Sequence, residues 1–232
     1  MIYVYRQDSK SATVVYTALI EAGAEAVRLR RFRDARPTTR DLVVNWGAYV
    51  ERWPPGWRVL NPRILGNKFR ELQLIAEAGV PVPRHSRTPH AGWLARRDSH
   101  YEADDLRAAL RIGDFYVQRV DVDKEFRFHI FRGASIRQQH KVKVREDAHP
   151  WIRSFASGWD WINGGDGTEA MRRAAVRAVA ALGLDFGACD VGRLRSGGFV
   201  IFEVNTSPGI DAGGSTAMKY ADAIMRCYAT NN

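Results

Sequence analysis

The sequence predicts an α/β protein, and three observations carry that reading. Apolar runs such as "MIYVYR" and "DLVVNWG" are separated by a stretch of helical period. Later segments, "EFRFHIFRG" and "FVIFEVN", alternate residue by residue, as strands with one buried face do. A chain of 232 residues with 45% hydrophobic content suits one large domain or two small lobes around a shared cleft.

"MIYVYR" at 1–6 reads as a strand, and "SATVVYTALIEAG" at 11–23 as a helix with Val14, Val15, Ala18 and Leu19 apolar and Gly23 at its end. "AVRLR" and "DLVVNWG" read as two further strands, so residues 1–60 have the β-α-β-β rhythm of a small α/β lobe. A helix follows from Lys68 to Ala78, with Phe69, Leu72, Ile75 and Ala76 as its stripe and Gly79 and Pro81 as its stop. From 84 to 112 the signals weaken to a short strand "WLARR" and an aspartate-capped helix "ADDLRAAL", after which "DFYVQRV" alternates like a strand. "EFRFHIFRG" and "SIRQQHKVKV" pair across a turn at Gly133, and residues 151–167 read as a tryptophan-rich loop. A helix at 168–182 gathers Met171, Ala175, Val179 and Leu182 on one face; strands at 185–194 and 198–205 and a final helix from Ser215 to Tyr228 complete the chain.

Composition excludes several classes. No apolar run approaches the roughly 20 residues of a membrane helix, and residues 1–20 lack a signal-peptide pattern, so a cytoplasmic protein is expected. Cys189 and Cys227 read as buried free thiols. No Ser-His-Asp set, zinc spacing or Walker loop is present. The net charge is +9, with 29 arginines against six lysines. The densest cluster, "VRLRRFRDARPTTR" at 27–40, interleaves only Phe32 and reads as a solvated basic face; the charge permits a nucleic-acid partner without favouring one.

The chemistry concentrates near the C-terminus. "DFGACDVGRLRSGGFVIFEVN" reads as a hairpin with the two-residue loop Ser196–Gly197, which sets Asp190 opposite Glu203. On the second strand, alternation puts Val200, Phe202 and Val204 on one face and Phe199, Ile201, Glu203 and Asn205 on the other. Facing carboxylates repel. Either a hard divalent cation such as Mg²⁺ joins them, with Asn205 as a third oxygen donor, or nearby arginines neutralise them.

"GLDFGACDVGRLRSGGFVIFEVNTSPGI" resembles the C-terminal signature of the ATP-grasp ligases, an Asp on one strand and Glu-x-Asn on the next. "NKFRELQLIAEAGVPVPRH" resembles that family's lysine-led helix, and "YVQRVDVDKEFRFHIFRG" its hinge and Glu-x-Arg strand. The likeness spans about residues 60–215 and is strongest to short bacteriophage-type members. It implies an ATP-grasp fold, with an N-terminal lobe at 1–60, an ATP-grasp domain at 61–232, and a shortened lid subdomain at about 84–117. The resemblance further implies ATP and Mg²⁺ as cofactors, with Asp190, Glu203 and Asn205 holding the metal. Gln118, Arg119 and Val120 would meet adenine and Asp121 or Asp123 the ribose. Lys68 and Arg97 would face the phosphates, Arg127 and Lys141 the transferring phosphoryl group, and Arg153 the acyl-phosphate oxyanion.

One departure stands out. Where relatives have a lysine and a glycine-rich lid loop, "WLARRDSHYEADDL" offers Arg96 and Arg97 and no glycine between Gly92 and Gly113. Arginine binds phosphate bidentately and can replace the lysine, but a close backbone cradle is lost. The expected activity is an ATP-dependent carboxylate–amine ligase acting on a small-molecule or peptide carboxylate and amine. The rivals are an amino-acid ligase acting on modified nucleic-acid bases and a non-catalytic nucleotide-binding relic.

Overall fold

The computed structural model describes residues 1–6, 9–98, 113–210 and 214–230. The first lobe is a parallel sheet of order β2-β1-β3-β4, made of β1 (Ile2–Tyr5), β2 (Ala26–Leu29), β3 (Leu42–Asn45) and β4 (Val59–Leu60). Alternation sorts its two faces. Ile2 and Val4 point to helix α1 (Lys10–Glu21) and, beside it, to α4 (Ser215–Ala229), whereas Tyr3 and Val43 point to an aromatic cover. Ser9 caps α1 by accepting the Ala12 N–H at 3.2 Å.

Helix α2 (Lys68–Glu77), capped by Asn67, leads into a three-stranded antiparallel sheet of β5 (His85–Ser86), β6 (Trp93–Arg96) and β7 (Phe115–Gln118), in the order β5-β7-β6. The expected helix at 103–110 lies outside the described residues. The largest sheet is antiparallel, order β10-β9-β8-β11-β12. Its strands are β8 (Val122–Phe131), β9 (Ala134–Lys143), β10 (Trp159–Asn163), β11 (Phe186–Leu194) and β12 (Phe199–Asn205). Helix α3 (Glu169–Ala181) covers one face, burying Met171, Ala175 and Val179 against Phe126, Phe128, Val191 and Ile201. Among the described residues no helix is long and apolar enough to cross a membrane.

Four sequence expectations change. The tryptophan-rich stretch 151–167 is not all loop, because Trp159–Asn163 adds an edge strand to β9. β4 and β5 have two residues each, too few to show a period. The turn between β11 and β12 is wider than Ser196–Gly197 alone: Leu194 donates to the Gly198 carbonyl at 3.1 Å, and Gly197 and Gly198 take φ of 93° and 76°. Near that turn Arg193 faces Phe199, and a bulge beyond Val191 restores Asp190 to its place opposite Glu203. The bulge also breaks the alternation: Ile201 and Val204 both enter the α3 core, while Phe202 and Glu203 both line the opposite side. The Phe202 ring comes within 2.5 Å of where a Cβ on Gly192 would stand, so a side chain there would displace the ring.

Polar clasps join the lobes. Asn61, at φ 54°, accepts from the backbone N–H groups of Asp185 and Phe186 at 2.7 and 3.1 Å and donates to the Phe186 carbonyl at 2.9 Å. Gly47, at φ 79°, meets Ser207 so closely that an added Cβ would stand 2.6 Å from the serine Cβ. Under α4, His129 is fully buried between the Tyr220 hydroxyl at 3.1 Å and Gln139 Oε1 at 2.9 Å. Burial lowers its pKa to about 3. The folded protein thus keeps His129 neutral, while the unfolded chain protonates it below its ordinary value of about 6.5. The unfolding free energy should therefore fall by up to about 1.4 kcal/mol per pH unit as pH drops from about 6 to about 4. Denaturant titrations across that range test this, and His129→Gln should flatten the slope; an unchanged slope would assign it to other groups.

Candidate active site

The three-stranded sheet, α2 and the cleft-side face of the five-stranded sheet enclose a cavity of about 800 Å³. Its floor is a row of side chains across three neighbouring strands, because β8, β11 and β12 put Arg127, Asp190 and Glu203 side by side. Asp190 is 7% exposed, and Arg127 meets it with two hydrogen bonds, Nε to Oδ1 at 2.7 Å and Nη2 to Oδ2 at 2.8 Å. Lys68 Nζ, at the start of α2, donates to Glu203 Oε2 at 3.1 Å, and Arg96 reaches the same oxygen at 3.8 Å. Burial alone would raise the Glu203 carboxyl, but the charges of Lys68 and Arg96 outweigh it and hold the group well below the usual carboxylate range. Asn205 Nδ2 spans both acids, 3.3 Å from Asp190 Oδ2 and 3.2 Å from Glu203 Oε1.

A second group of charges forms the adjoining wall. Glu125, two residues before Arg127 and on the same face of β8, accepts from Lys141 Nζ at 2.8 Å and stands 3.7 Å from Arg153. Tryptophan rings back these cations. Trp161 pairs with Lys141 in the β9–β10 register, and its ring lies 4.4 Å from both Lys141 Nζ and the Arg127 guanidinium. Arg119 lies 3.4 Å over Trp151, and Arg153 lies 4.7 Å over Trp159.

Several solved structures superpose on this chain over nearly its full length. The ATP-grasp ligase PsnB complexed with minimal precursor matches with a TM-score of 0.68 at 16% identity, covering 97% of this chain and 98% of that one. PsnB complexed with minimal precursor, Mg and ADP matches with 0.65 at 16% identity, covering 98% and 96%. The chain has the ATP-grasp fold. The macrocyclase MdnC from Microcystis aeruginosa MRC, bound with precursor peptide MdnA, matches with 0.63 at 13% identity over 100% of both chains. Family models and curated proteins give no match.

In this ATP-grasp cleft lie Lys68, Arg97, Gln118, Arg119, Val120, Asp121, Arg127, Lys141, Arg153, Asp190 and Glu203. Asp123 is not among the lining residues; Arg193 holds its carboxylate through Nε at 3.0 Å and Nη2 at 2.7 Å, so that of the two ribose candidates Asp121 is the one at the cavity. Arg96 and Arg97 both line the cleft; Arg96 reaches Glu203 on the floor at 3.8 Å, and Arg97 stands 3.8 Å from Asp114. Glu125 and Trp161 are additions to the residues given a role from sequence, and Arg96, offered there beside Arg97, reaches Glu203. Glu125 is the glutamate of the Glu-x-Arg strand, visible in sequence without an assigned role, whereas Trp161 depends on a strand pairing that its loop-like surroundings conceal.

The donor set suits a hard cation, with two facing carboxylates and a carboxamide whose half-turn would offer an oxygen instead of a nitrogen. Among the described residues no group of three His, Cys, Asp or Glu side chains gathers. A cation here would therefore take further ligands from phosphate or water. Asp190 has a structural partner as well, and that has a measurable consequence. Asp190→Ala leaves a buried guanidinium without its counter-charge and should cost about 3–5 kcal/mol. Arg127→Met in the same chain should recover much of that loss, giving a coupling read from a double-mutant cycle by denaturant unfolding. Additive losses would show that the pair contributes no mutual stabilisation.

Proposed function

We propose that the protein is an ATP-dependent ligase that activates a substrate carboxylate as an acyl phosphate and transfers the acyl group to an amine, releasing ADP and phosphate. The observation that carries this reading is the convergence of Lys68, Arg96, Arg127, Lys141 and Arg153 on one enclosed cleft around the facing Asp190 and Glu203. Support comes from the fold shared with ligases solved with Mg and ADP. A peptide substrate is favoured because PsnB and MdnC are complexed with precursor peptides. The three motif segments favour a place beside the short bacteriophage-type members.

In this reading Asp190, Glu203 and Asn205 would hold Mg²⁺, which would supply charge neutralisation on the ATP phosphates. The protein's own cations do the rest. Lys68 and Arg96, paired with Glu203, would serve phosphate oxygens once that carboxylate is engaged elsewhere. Arg127 and Lys141 stabilise the charge that accumulates on the transferring phosphoryl group, and the Trp161 ring keeps both from swinging away. Gln118, Arg119 and Val120 border the adenine, Asp121 the ribose, and Arg97 the outer phosphate rim. Arg153 faces the acyl-phosphate oxygen. The enclosed walls limit water, so that the amine rather than water takes the acyl group.

Hydroxylamine intercepts an acyl phosphate, so with a suitable peptide carboxylate it should yield a hydroxamate together with ADP and phosphate. AMP and pyrophosphate as products would overturn the assignment. Glu203→Gln should lower ADP formation by about 10²–10³-fold while keeping a cooperative unfolding transition, since it removes charge and not shape. Turnover equal to the parent would exclude Glu203 from the site. Trp161→Leu should lower kcat more than it raises the KM for ATP, and Trp161→Phe should restore most of the loss because a ring face remains for the two cations. Steady-state kinetics of the three proteins decide between a cation platform and simple packing.

A further inference from the structure

The first lobe carries a surface that the cleft chemistry leaves unused. Between residues 27 and 63 the chain holds nine arginines and no lysine, against only Asp34, Asp41 and Glu51. Two of those acids are committed within the lobe. Asp34 accepts the Arg31 backbone N–H at 3.1 Å, and Asp41 binds the Met1 amine at 2.9 Å and the Thr38 backbone N–H at 2.7 Å. Arg30, Arg31, Arg33, Arg52 and Arg63 are exposed, and none has an ion pair among the described residues.

An aromatic cluster draws these arginines together. Among the described residues no α-helix packs on this face of the sheet; a short 3-10 turn at Phe32–Asp34 sets the Phe32 ring 5.0 Å from Tyr5, 5.2 Å from Trp53 and 5.5 Å from Trp57. Trp53 Nε1 donates to the Pro62 carbonyl at 2.7 Å, tying the chain segments that carry Arg52 and Arg63 to one another. β2 and β3 are parallel, so the arginine-bearing segments that follow them leave at the same end of the sheet. At that end Gly47 packs on Ser207, two residues beyond Asn205. The basic surface and the end of the cleft-floor strand therefore share one edge of the molecule.

We propose that this surface docks an acidic stretch of a peptide substrate, seating its carboxylates on Arg31, Arg33, Arg52 and Arg63 while the reacting residue enters the cleft. This rests on the ligase reading and specifies its substrate class. Guanidinium groups match carboxylates two bonds at a time, which suits an all-arginine surface. The rings point away from a nucleic-acid occupant, since Phe32, Trp53 and Trp57 pack against one another and are not splayed as a base-stacking platform.

The test is a binding measurement on the full chain, independent of turnover. A fluorescent peptide rich in Glu and Asp, its Gln/Asn counterpart, and a single-stranded oligonucleotide of equal charge are titrated at low and physiological salt. The acidic peptide should bind and the amide peptide should not. Arg31→Glu, Arg33→Glu and Arg52→Glu together should weaken the acidic peptide at least about tenfold. An equal charge change made on α3, which packs against the five-stranded sheet, with Arg172→Glu, Arg173→Glu and Arg177→Glu, should weaken it less than about threefold. Equal weakening by both sets would mean that net charge alone attracts the peptide, and would overturn the proposal. So would tighter binding of the oligonucleotide lost in the first set, or no effect of the first set. If nucleotide turnover fails while acidic-peptide binding follows this pattern, the ligase reading falls and the docking surface stands.

Discussion

Asp190 and Glu203 face each other across β11 and β12, and most of the cleft is organised around that repulsion. Like charges opposite each other on a ladder oppose pairing, and both acids are too enclosed for water to screen them well. The fold answers with a cation for each. Arg127 comes from the neighbouring strand β8 and Lys68 from the first turn of α2, with the Asn205 carboxamide between the acids. Each neutralising group comes from a different element. The carboxylates therefore tie α2 and the central strands into one unit.

That unit is held by contacts outside the cleft. Asn61 stitches β4 to the start of β11, and Asn45 donates to the Asn61 carbonyl at 2.9 Å. His129 shows how the same face of β8 changes function along its length. Glu125 and Arg127 look into the cavity, whereas His129 and Phe131 are sealed beneath α4 or beside it. Polar groups in the sealed part have fixed neutral partners, while those in the open part carry charge that a ligand can reassign. A buried pair such as Arg127–Asp190 adds little net stability over an apolar pair of similar size. Its value lies in where it leaves the guanidinium.

Much of this was legible in the sequence, though not always for the right reason. Asp190 does stand opposite Glu203, yet the assumed tight turn gives the wrong register near the loop, and the bulge beyond Val191 corrects it. Alternation failed at Ile201 for the same cause. Lys68 was visible because a capped amphipathic helix has a clear first residue. The pairing of Arg127 with Asp190 was not visible, because it depends on which strands become neighbours, and β8 joins β11 across more than fifty residues of chain. Trp161 was hidden by Gly164, Gly165 and Gly167, which read as loop although they only end a strand.

The positive charge follows from the same constraint. Among the described residues seven lysines and arginines line the cavity against six carboxylates, a small positive excess, and Lys68, Arg96, Arg127, Lys141 and Arg153 cluster with Asp190, Glu203 and Glu125 at its floor and wall. A cavity in that condition favours polyanions, and its low-dielectric walls concentrate the field at the mouth. The arginines of the first lobe extend the same sign of potential along the edge where Gly47 meets Ser207. Screening acts differently on the two regions. Exposed arginines lose influence beyond about 8 Å at physiological ionic strength, whereas the buried cations keep theirs. The outer charges therefore govern encounter and the inner ones hold what arrives.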